Sequence, residues 1–127
     1  MGAAEPVHKI APPERTEGEA TSGITREQAI AVDGMWAGVA RTEAHAISGW
    51  HHHADYDTSI YVVSGVLRME SGPAGSETVD AGPGDFLYVP KGAIHREGNP
   101  ADAESHVVVV RAGRGPVTVN VDGPAPG

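Results

Sequence analysis

Three of the seven histidines form an uninterrupted run, His51-His52-His53, within a pattern typical of a β-strand. Successive side chains of a strand point to opposite faces, so His51 and His53 share one face and His52 points away. Their Cα atoms would lie roughly 6.5–7 Å apart. That separation lets two imidazoles converge on one metal ion at about 2.0–2.1 Å from each nitrogen. Taken alone, the run fits a solvent-exposed strand as well as it fits part of a metal site.

A second motif, over residues 84–99, combines turn-forming residues with a further histidine. Pro90 and Gly92 favour a sharp turn between two strands. We therefore expect His95, which follows this turn, to point into the interior beside the earlier pair. The fixed positions of the motif are Gly84, Pro90, Gly92, His95 and Asn99.

The spacing of this second motif (Gly, five residues, Pro, one, Gly, two, His, three, Asn) resembles the second motif of the cupin superfamily, and it is complete. The first cupin motif reads Gly, five residues, His, one, His, three or four, Glu, six, Gly. It is matched at His51, His53 and Gly65. The opening glycine is replaced by His45 and the glutamate by Thr58.

The resemblance covers about residues 35 to 112 and implies an all-β fold, the cupin barrel, also called a double-stranded β-helix or jelly roll. It also implies a single metal ion held by His51, His53 and His95. For function the resemblance is less specific, because cupins include oxygenases, isomerases, decarboxylases, lyases, sugar-binding proteins and storage proteins.

The position of the missing glutamate affects the chemistry of such a site. With Thr58 there, the three histidines are neutral and the ion keeps its full charge, which favours an anionic, chelating substrate and strengthens Lewis acidity. The Thr58 hydroxyl would hydrogen-bond a metal-bound water or else pack in the barrel. If a β-bulge shifts the register, the carboxylate of Asp57 becomes an alternative ligand.

Three imidazoles suit Fe(II) or Zn(II) best among the expected ions, with Ni, Cu or Mn as further candidates. The leading hypothesis is a metal-dependent three-histidine dioxygenase or other oxygenase that acts on a small polar or anionic molecule. The first alternative is a redox-inert zinc cupin that catalyses a lyase, isomerase or nitrogen–nitrogen bond-forming rearrangement. The second is a non-catalytic ligand-binding or sensor cupin.

Further residues are candidates for the pocket because they lie on predicted strands. Arg41 would bind a substrate carboxylate through a bidentate pair if it faced the interior. Glu97 lies two residues after His95 and is a candidate general base or a partner of a metal ligand. The alternative for each is a place in the core, at the rim or on the outer surface. The substrate-binding candidates are Arg41, Trp50, Tyr61, Met69 and Tyr88, and Trp36 and Arg111 also lie on predicted strands.

The chain has the length of one domain. We expect an extended N-terminal arm over residues 1–23, a single barrel domain over 24–121 and a flexible tail over 122–127. The arm is rich in Pro, Gly, Ala, Glu and Thr, so it would be ordered only where it lies on the barrel or on a partner subunit. Small cupins often pair through such a segment, and a homodimer is expected.

A short helix is predicted at the start of the barrel domain. Thr25 would cap it, Gln28 stands three residues further as in a capping box, and it would end at Val32 before Asp33-Gly34.

From residue 35 onward, short apolar runs separated by Gly, Pro and Asp turns predict a series of strands. Their expected bounds are Met35–Thr42, Ala46–His53, Ser59–Val63, Val66–Glu70, Thr78–Val79, Phe86–Val89, Ala93–Glu97, His106–Val110 and Val117–Val121.

The composition excludes several classes of partner. Seventeen acidic residues against nine basic ones give a net charge of −8, and no Lys/Arg cluster is present. Nucleic acid and anionic membrane surfaces are therefore not expected to bind. The chain has no cysteine, which rules out thiolate ligands and disulfides. It has neither a signal-peptide pattern nor an apolar stretch of about 18–20 residues, and a cytoplasmic location is expected.

Overall fold

A computed structural model of the chain describes residues 5–116 and 118–124. Two short 3-10 helices, Pro12–Glu14 and Pro73–Gly75, accompany the β-strands of these residues. In chain order the strands are β1 (Thr16–Glu17), β2 (Ile24–Val32), β3 (Met35–Thr42), β4 (His51–His52), β5 (Asp57–Ser64), β6 (Leu67–Ser71), β7 (Glu77–Ala81), β8 (Phe86–Val89), β9 (Arg96–Gly98), β10 (Ser105–Ala112) and β11 (Val119–Asn120).

The larger sheet has the strand order β1-β2-β3-β10-β5-β8, and all its neighbours pair antiparallel. A second sheet has the order β7-β6-β9, and β11 pairs with β4. Isolated bridges from Ile47 to Gly98 and from His51 to His95 join the chain around β4 to the chain around β9. This arrangement confirms the all-β barrel that the sequence predicts.

The predicted N-terminal helix is wrong, because Ile24–Val32 forms strand β2 instead. It pairs with β3 from Ile24 opposite Thr42 to Val32 opposite Met35, with a bulge after Gln28. Asp33-Gly34 makes the two-residue turn between them, and Gly34 has a φ of 85°, a conformation that glycine adopts without strain. An Asp-Gly pair between apolar runs is a strong hairpin signal. The backbone pairing with β3 outweighs the local capping pattern.

Other strand predictions hold to different degrees. Met35–Thr42 and Phe86–Val89 are confirmed at both ends. The strand expected over Ala46–His53 is reduced to His51–His52. The chain turns just before and just after the expected strand, because His45 and Ala54 have positive φ angles of 62° and 49°.

The domain boundaries stay predictions, although parts of the arm are visible. Its residues Thr16–Glu17 pair with β2, and Ile10 and Pro12 lie against the outer face of the larger sheet. Residues 1–4 of the arm, Val117 of the last predicted strand and residues 125–127 of the tail lie outside the described residues. None of the described helices is long and apolar enough to span a membrane.

The core lies between the two main sheets, where every second side chain points inward. It consists of Ala40, Ile60, Val62, Leu67, Met69, Ala81, Val89, Val107 and Val109. The same alternation continues beyond these apolar residues. It places Thr58 on the inner face of β5 and Arg111 on the inner face of β10, directly opposite each other in the strand register. The interior therefore has a polar part next to the apolar core.

Candidate metal centre

His51, His53 and His95 come together inside the barrel, and each is at most 5% exposed. One ring nitrogen of each lies within 4.8 Å of those of the other two. The ring centroids are 4.3 Å apart for His51 and His95, 5.1 Å for His51 and His53, and 5.0 Å for His53 and His95. The three side chains are thus positioned to bind one metal ion.

Backbone pairing explains why two distant histidines meet. The N–H of His51 donates to the carbonyl of His95 at 3.0 Å, and the N–H of His95 donates to the carbonyl of His51 at 2.8 Å. This reciprocal bridge sets the two side chains next to each other on the interior face. Before His95 the chain turns at Pro90, whose carbonyl accepts from the N–H of Ala93 at 3.1 Å, as the motif predicts.

The hydrogen bonds of the rings suit metal binding. The Nδ1 atoms of His51 and His95 each lie 2.9 Å from a backbone carbonyl, of Gly49 and Ala93 respectively. A carbonyl only accepts, so both Nδ1 atoms carry the proton and both Nε2 atoms keep a free lone pair. The buried Nε2 of His51 has no hydrogen-bond partner within the described part of the chain.

The electrostatic environment of His95 also favours the neutral imidazole that binds a metal. Burial, and to a lesser extent the proximity of the His51 ring, lowers the pKa of His95 below its ordinary value. A neutral imidazole is the form that ligates a metal. The residues present therefore fit a divalent ion.

Glu97 on β9 is the carboxylate beside this centre. Its Oε1 lies 3.9 Å from the Nε2 of His51, too far for a hydrogen bond, and accepts a hydrogen bond at 3.0 Å from Nη2 of Arg26 on β2. Burial alone would raise the pKa of Glu97, but Arg26 and the three histidines outweigh it and hold the pKa below its ordinary value. Glu97 is therefore an ionised carboxylate that Arg26 holds next to the histidines.

Thr58 lies in the barrel interior, 2% exposed, and its Oγ1 has no hydrogen-bond partner among the described residues. Asp57, the alternative ligand, is not brought to the histidines. Its Oδ1 accepts from the Tyr88 hydroxyl at 2.7 Å and from the backbone N–H of Lys91 at 3.3 Å. These contacts hold Asp57 near the surface.

Of the predicted substrate-binding residues, Met69 is buried and lines a cavity of about 110 Å³ that His95 also lines. Tyr88 lines the same cavity, but it is 68% exposed and alternates outward with Phe86 on β8. The other lining side chains are mainly apolar, and they include Leu87, Val89 and Ala93. The cavity therefore reaches the histidine group at His95.

The other three substrate-binding candidates lie away from the histidines. Arg41 points outward and pairs with Glu27 at 3.2 Å. The guanidinium of Arg96 stacks on Trp50, with Cζ of Arg96 4.6 Å from the centroid of the Trp50 ring. Tyr61 is 38% exposed and packs against Phe86.

The interior arginines are instead Arg26 and Arg111, 7% and 3% exposed. Arg26 was not among the predicted site residues because its segment was predicted to be a helix. It lies on the inner face of β2 together with Ile24. Arg111 continues the alternation of Val107 and Val109, a signal that would have placed it inside. Burial and the nearby charge of Arg26 lower the pKa of Arg111 to about 10, so it remains charged at neutral pH.

The fold and these residues define a small antiparallel barrel with an interior group of three histidines positioned to bind a metal ion. The family model for the cupin domain matches residues 38–111, more than half of the chain. The chain belongs to the cupin family. No curated protein sequence matches it.

Solved structures support the same fold. KdgF from Halomonas sp. is 22% identical with a TM-score of 0.70, over 84% of this chain and 94% of that one. The polyketide cyclase RemF from Streptomyces resistomycificus is 18% identical with a TM-score of 0.75, over 91% and 85%. A mutant of the oxalate decarboxylase OxdC from Bacillus subtilis is 21% identical with a TM-score of 0.71, over 86% and 30%. At these identities the similarity establishes the fold alone.

Proposed function

We propose that this cupin is a metal-dependent enzyme for a small polar or anionic molecule, with His51, His53 and His95 as the ligands of one Fe(II) or Zn(II) ion. The observation that carries the proposal is the group of three buried imidazoles. Two of them have the proton on Nδ1 and a free Nε2 lone pair. The cupin fold of several enzymes among the solved structures is consistent with it.

Glu97 favours proton transfer as the chemistry. A bound divalent ion would supply Lewis-acid polarisation of a substrate oxygen. Glu97 is an anchored carboxylate beside the histidines, and its lowered pKa makes it a weak base, so it would accept a proton from a substrate group that the ion has made more acidic. This combination supports a lyase or isomerase type of reaction more directly than the oxygenase expected from the sequence. The oxygenase remains the second candidate, because three neutral ligands leave coordination positions open for O₂.

Metal analysis and oxygen dependence test the proposal together. Protein purified without added metal is analysed for elements and then assayed against a panel of small hydroxy, keto and amino acids, with and without O₂. Metal-dependent turnover that is independent of O₂ is expected. O₂ consumption in proportion to product would establish the oxygenase instead. A protein that neither contains nor takes up Fe(II) or Zn(II) would contradict both.

Replacing Glu97 by glutamine is expected to reduce turnover by about 10²- to 10⁴-fold, because the amide cannot accept the proton. Metal content should stay unchanged, since Glu97 is not one of the three ligands. Glu70→Gln is the matched control. Glu70 is a carboxylate paired with Arg96, and its side chain alternates away from the interior on β6. Equal turnover of the wild type and Glu97→Gln would show that Glu97 does not accept a proton from the substrate.

The outer face of the larger sheet supports the homodimer. It exposes Tyr61, Val63, Phe86 and Val110, with Phe86 72% exposed. In a chain of net charge −8, these four neighbouring side chains form an apolar patch on which two copies can meet. We therefore propose that a second copy of this chain binds to this apolar face.

Phe86→Asp is expected to convert the dimer to a monomer, because two copies would bury a pair of carboxylates. The measurement is the mass in solution by light scattering. Val79→Asp is the control, since Val79 is 51% exposed but lies on β7 in the other sheet. A wild-type mass of one chain would refute the dimer.

A further inference from the structure

Arg111 is a buried cation that forms no ion pair with a carboxylate in the described part of the chain. Its side chain is on the inner face of β10, it is 3% exposed, and its Nε has no hydrogen-bond partner in the part of the chain that the structure describes. None of the described carboxylates forms an ion pair with it. Arginine is almost never fully buried unless it is paired. The interior of the barrel thus contains a charged side chain whose Nε–H no described residue satisfies.

The guanidinium of Arg111 is held in place by an aromatic ring. Its Cζ lies 4.6 Å from the ring centroid of Trp36 on β3. The Nε1 of Trp36 donates to Oε1 of Gln28 at 2.9 Å, which fixes the orientation of the ring. A stacked guanidinium keeps its in-plane N–H groups available for an anion. Arg111 is therefore positioned in advance without having its donors consumed.

A second unpartnered polar group lies opposite Arg111. Thr58 is its register partner on β5, is 2% exposed, and has no hydrogen-bond partner for its Oγ1 within the described ranges. Both residues are on the interior face of the larger sheet. Val89, the register partner of Thr58 on β8, lines the same cavity as His95. These two donors therefore belong to the same interior region as the histidines.

The charges of this region indicate the kind of anion. Of the two interior arginines, Arg26 pairs with Glu97 at 3.0 Å, whereas Arg111 forms no ion pair with a described carboxylate. The single positive charge of Arg111 matches one carboxylate better than a doubly charged phosphate. A planar carboxylate also matches the two parallel N–H groups at one edge of a guanidinium.

We propose that Arg111 and Thr58 form a carboxylate-binding subsite in the barrel, with Trp36 behind the guanidinium. The substrate of the proposed enzyme is then a small carboxylic acid whose carboxylate binds Arg111 while another part of the molecule lies at His51, His53 and His95. This assignment of the substrate class rests on the proposed function, whereas the binding of a carboxylate at Arg111 can be tested without it.

The test measures binding of propionate, with propionamide as the neutral isostere and inorganic phosphate as the competing anion. Fluorescence of Trp36 reports binding, in a Trp50→Phe background that leaves one tryptophan. Arg111→Met is expected to weaken propionate binding by about 10- to 100-fold, the usual effect of losing hydrogen bonds to a charged group. Arg111→Lys keeps the charge but loses the paired donors, so intermediate binding is expected.

Arg41→Met is the matched control, because Arg41 is also on a strand of the larger sheet but points outward to Glu27. It should bind propionate like the wild type. Arg111→Met should fold, since removing an unpaired buried charge relieves a desolvation cost, and its unfolding midpoint verifies this. If Arg111→Met is unfolded, Arg111→Lys and Thr58→Val decide the outcome. Wild-type affinity in both would overturn the proposal.

Three further results would overturn it. They are wild-type affinity of a folded Arg111→Met, equal binding of propionamide and propionate, and phosphate binding more than tenfold tighter than propionate. Measurements on chelator-treated protein, next to metal analysis of the same samples, separate this inference from the proposed function. Arg111-dependent binding in a protein that takes up no metal would support the carboxylate subsite and contradict the proposed metal enzyme. Metal uptake without Arg111-dependent binding would support the metal site and contradict the carboxylate subsite.

Discussion

Alanine in place of His53 is expected to lower metal affinity by at least about 100-fold. Loss of an outer hydrogen-bond partner of a metal ligand typically costs 10- to 100-fold, and loss of a direct ligand should cost more. Two imidazoles, of His51 and His95, would remain, and the described residues offer no other ligand in this group. Elemental analysis after dialysis, or titration with Zn(II), measures the change.

His52→Ala is the matched control for this experiment. His52 is the neighbour of two proposed ligands, but its Nδ1 accepts a hydrogen bond at 3.0 Å from the backbone N–H of Ala54 and it is not part of the group. Its replacement should leave metal content at the wild-type level. If His52→Ala and His53→Ala lose metal equally, the ligand assignment is wrong.

Replacing Arg26 by methionine is expected to have the largest effect on stability. Arg26 and Glu97 are a buried pair, with side chains 8% and 13% exposed. Arg26 also donates to Oγ1 of Thr21 and to the backbone carbonyl of Glu19. Removing one partner leaves an uncompensated buried charge, which costs about 3–5 kcal/mol in the free energy of unfolding. Denaturant unfolding of the metal-free protein measures it.

Two comparisons show whether burial is the cause. The double variant Arg26→Met/Glu97→Gln should be more stable than Arg26→Met alone, because the isolated charge is gone. Arg68→Met breaks an exposed pair with Asp80, joined by hydrogen bonds of 2.7 Å and 2.9 Å, and should change stability little despite that better geometry. An Arg68→Met loss equal to that of Arg26→Met would contradict this account.

The all-β fold followed from the sequence because it depends on local rules. Turn residues such as Asp33-Gly34 and Pro90, with the alternation of side chains between them, are visible without coordinates. The helix predicted over residues 25–32 failed for the opposite reason. Its capping pattern is real, but a strand paired along its whole length with β3 gains more hydrogen bonds and burial than an isolated short helix.

The sequence by itself determined that His51 and His53 share a face, because alternation along a strand has a period of two. It also related His95 to them through a complete motif. Only the tertiary structure decided which face of each strand is the interior, because that depends on the sheet that packs against it. Arg41 therefore points outward while Arg26 and Arg111 point inward. The three histidines could therefore be predicted from the sequence, whereas the charged residues around them could be identified only from the tertiary structure.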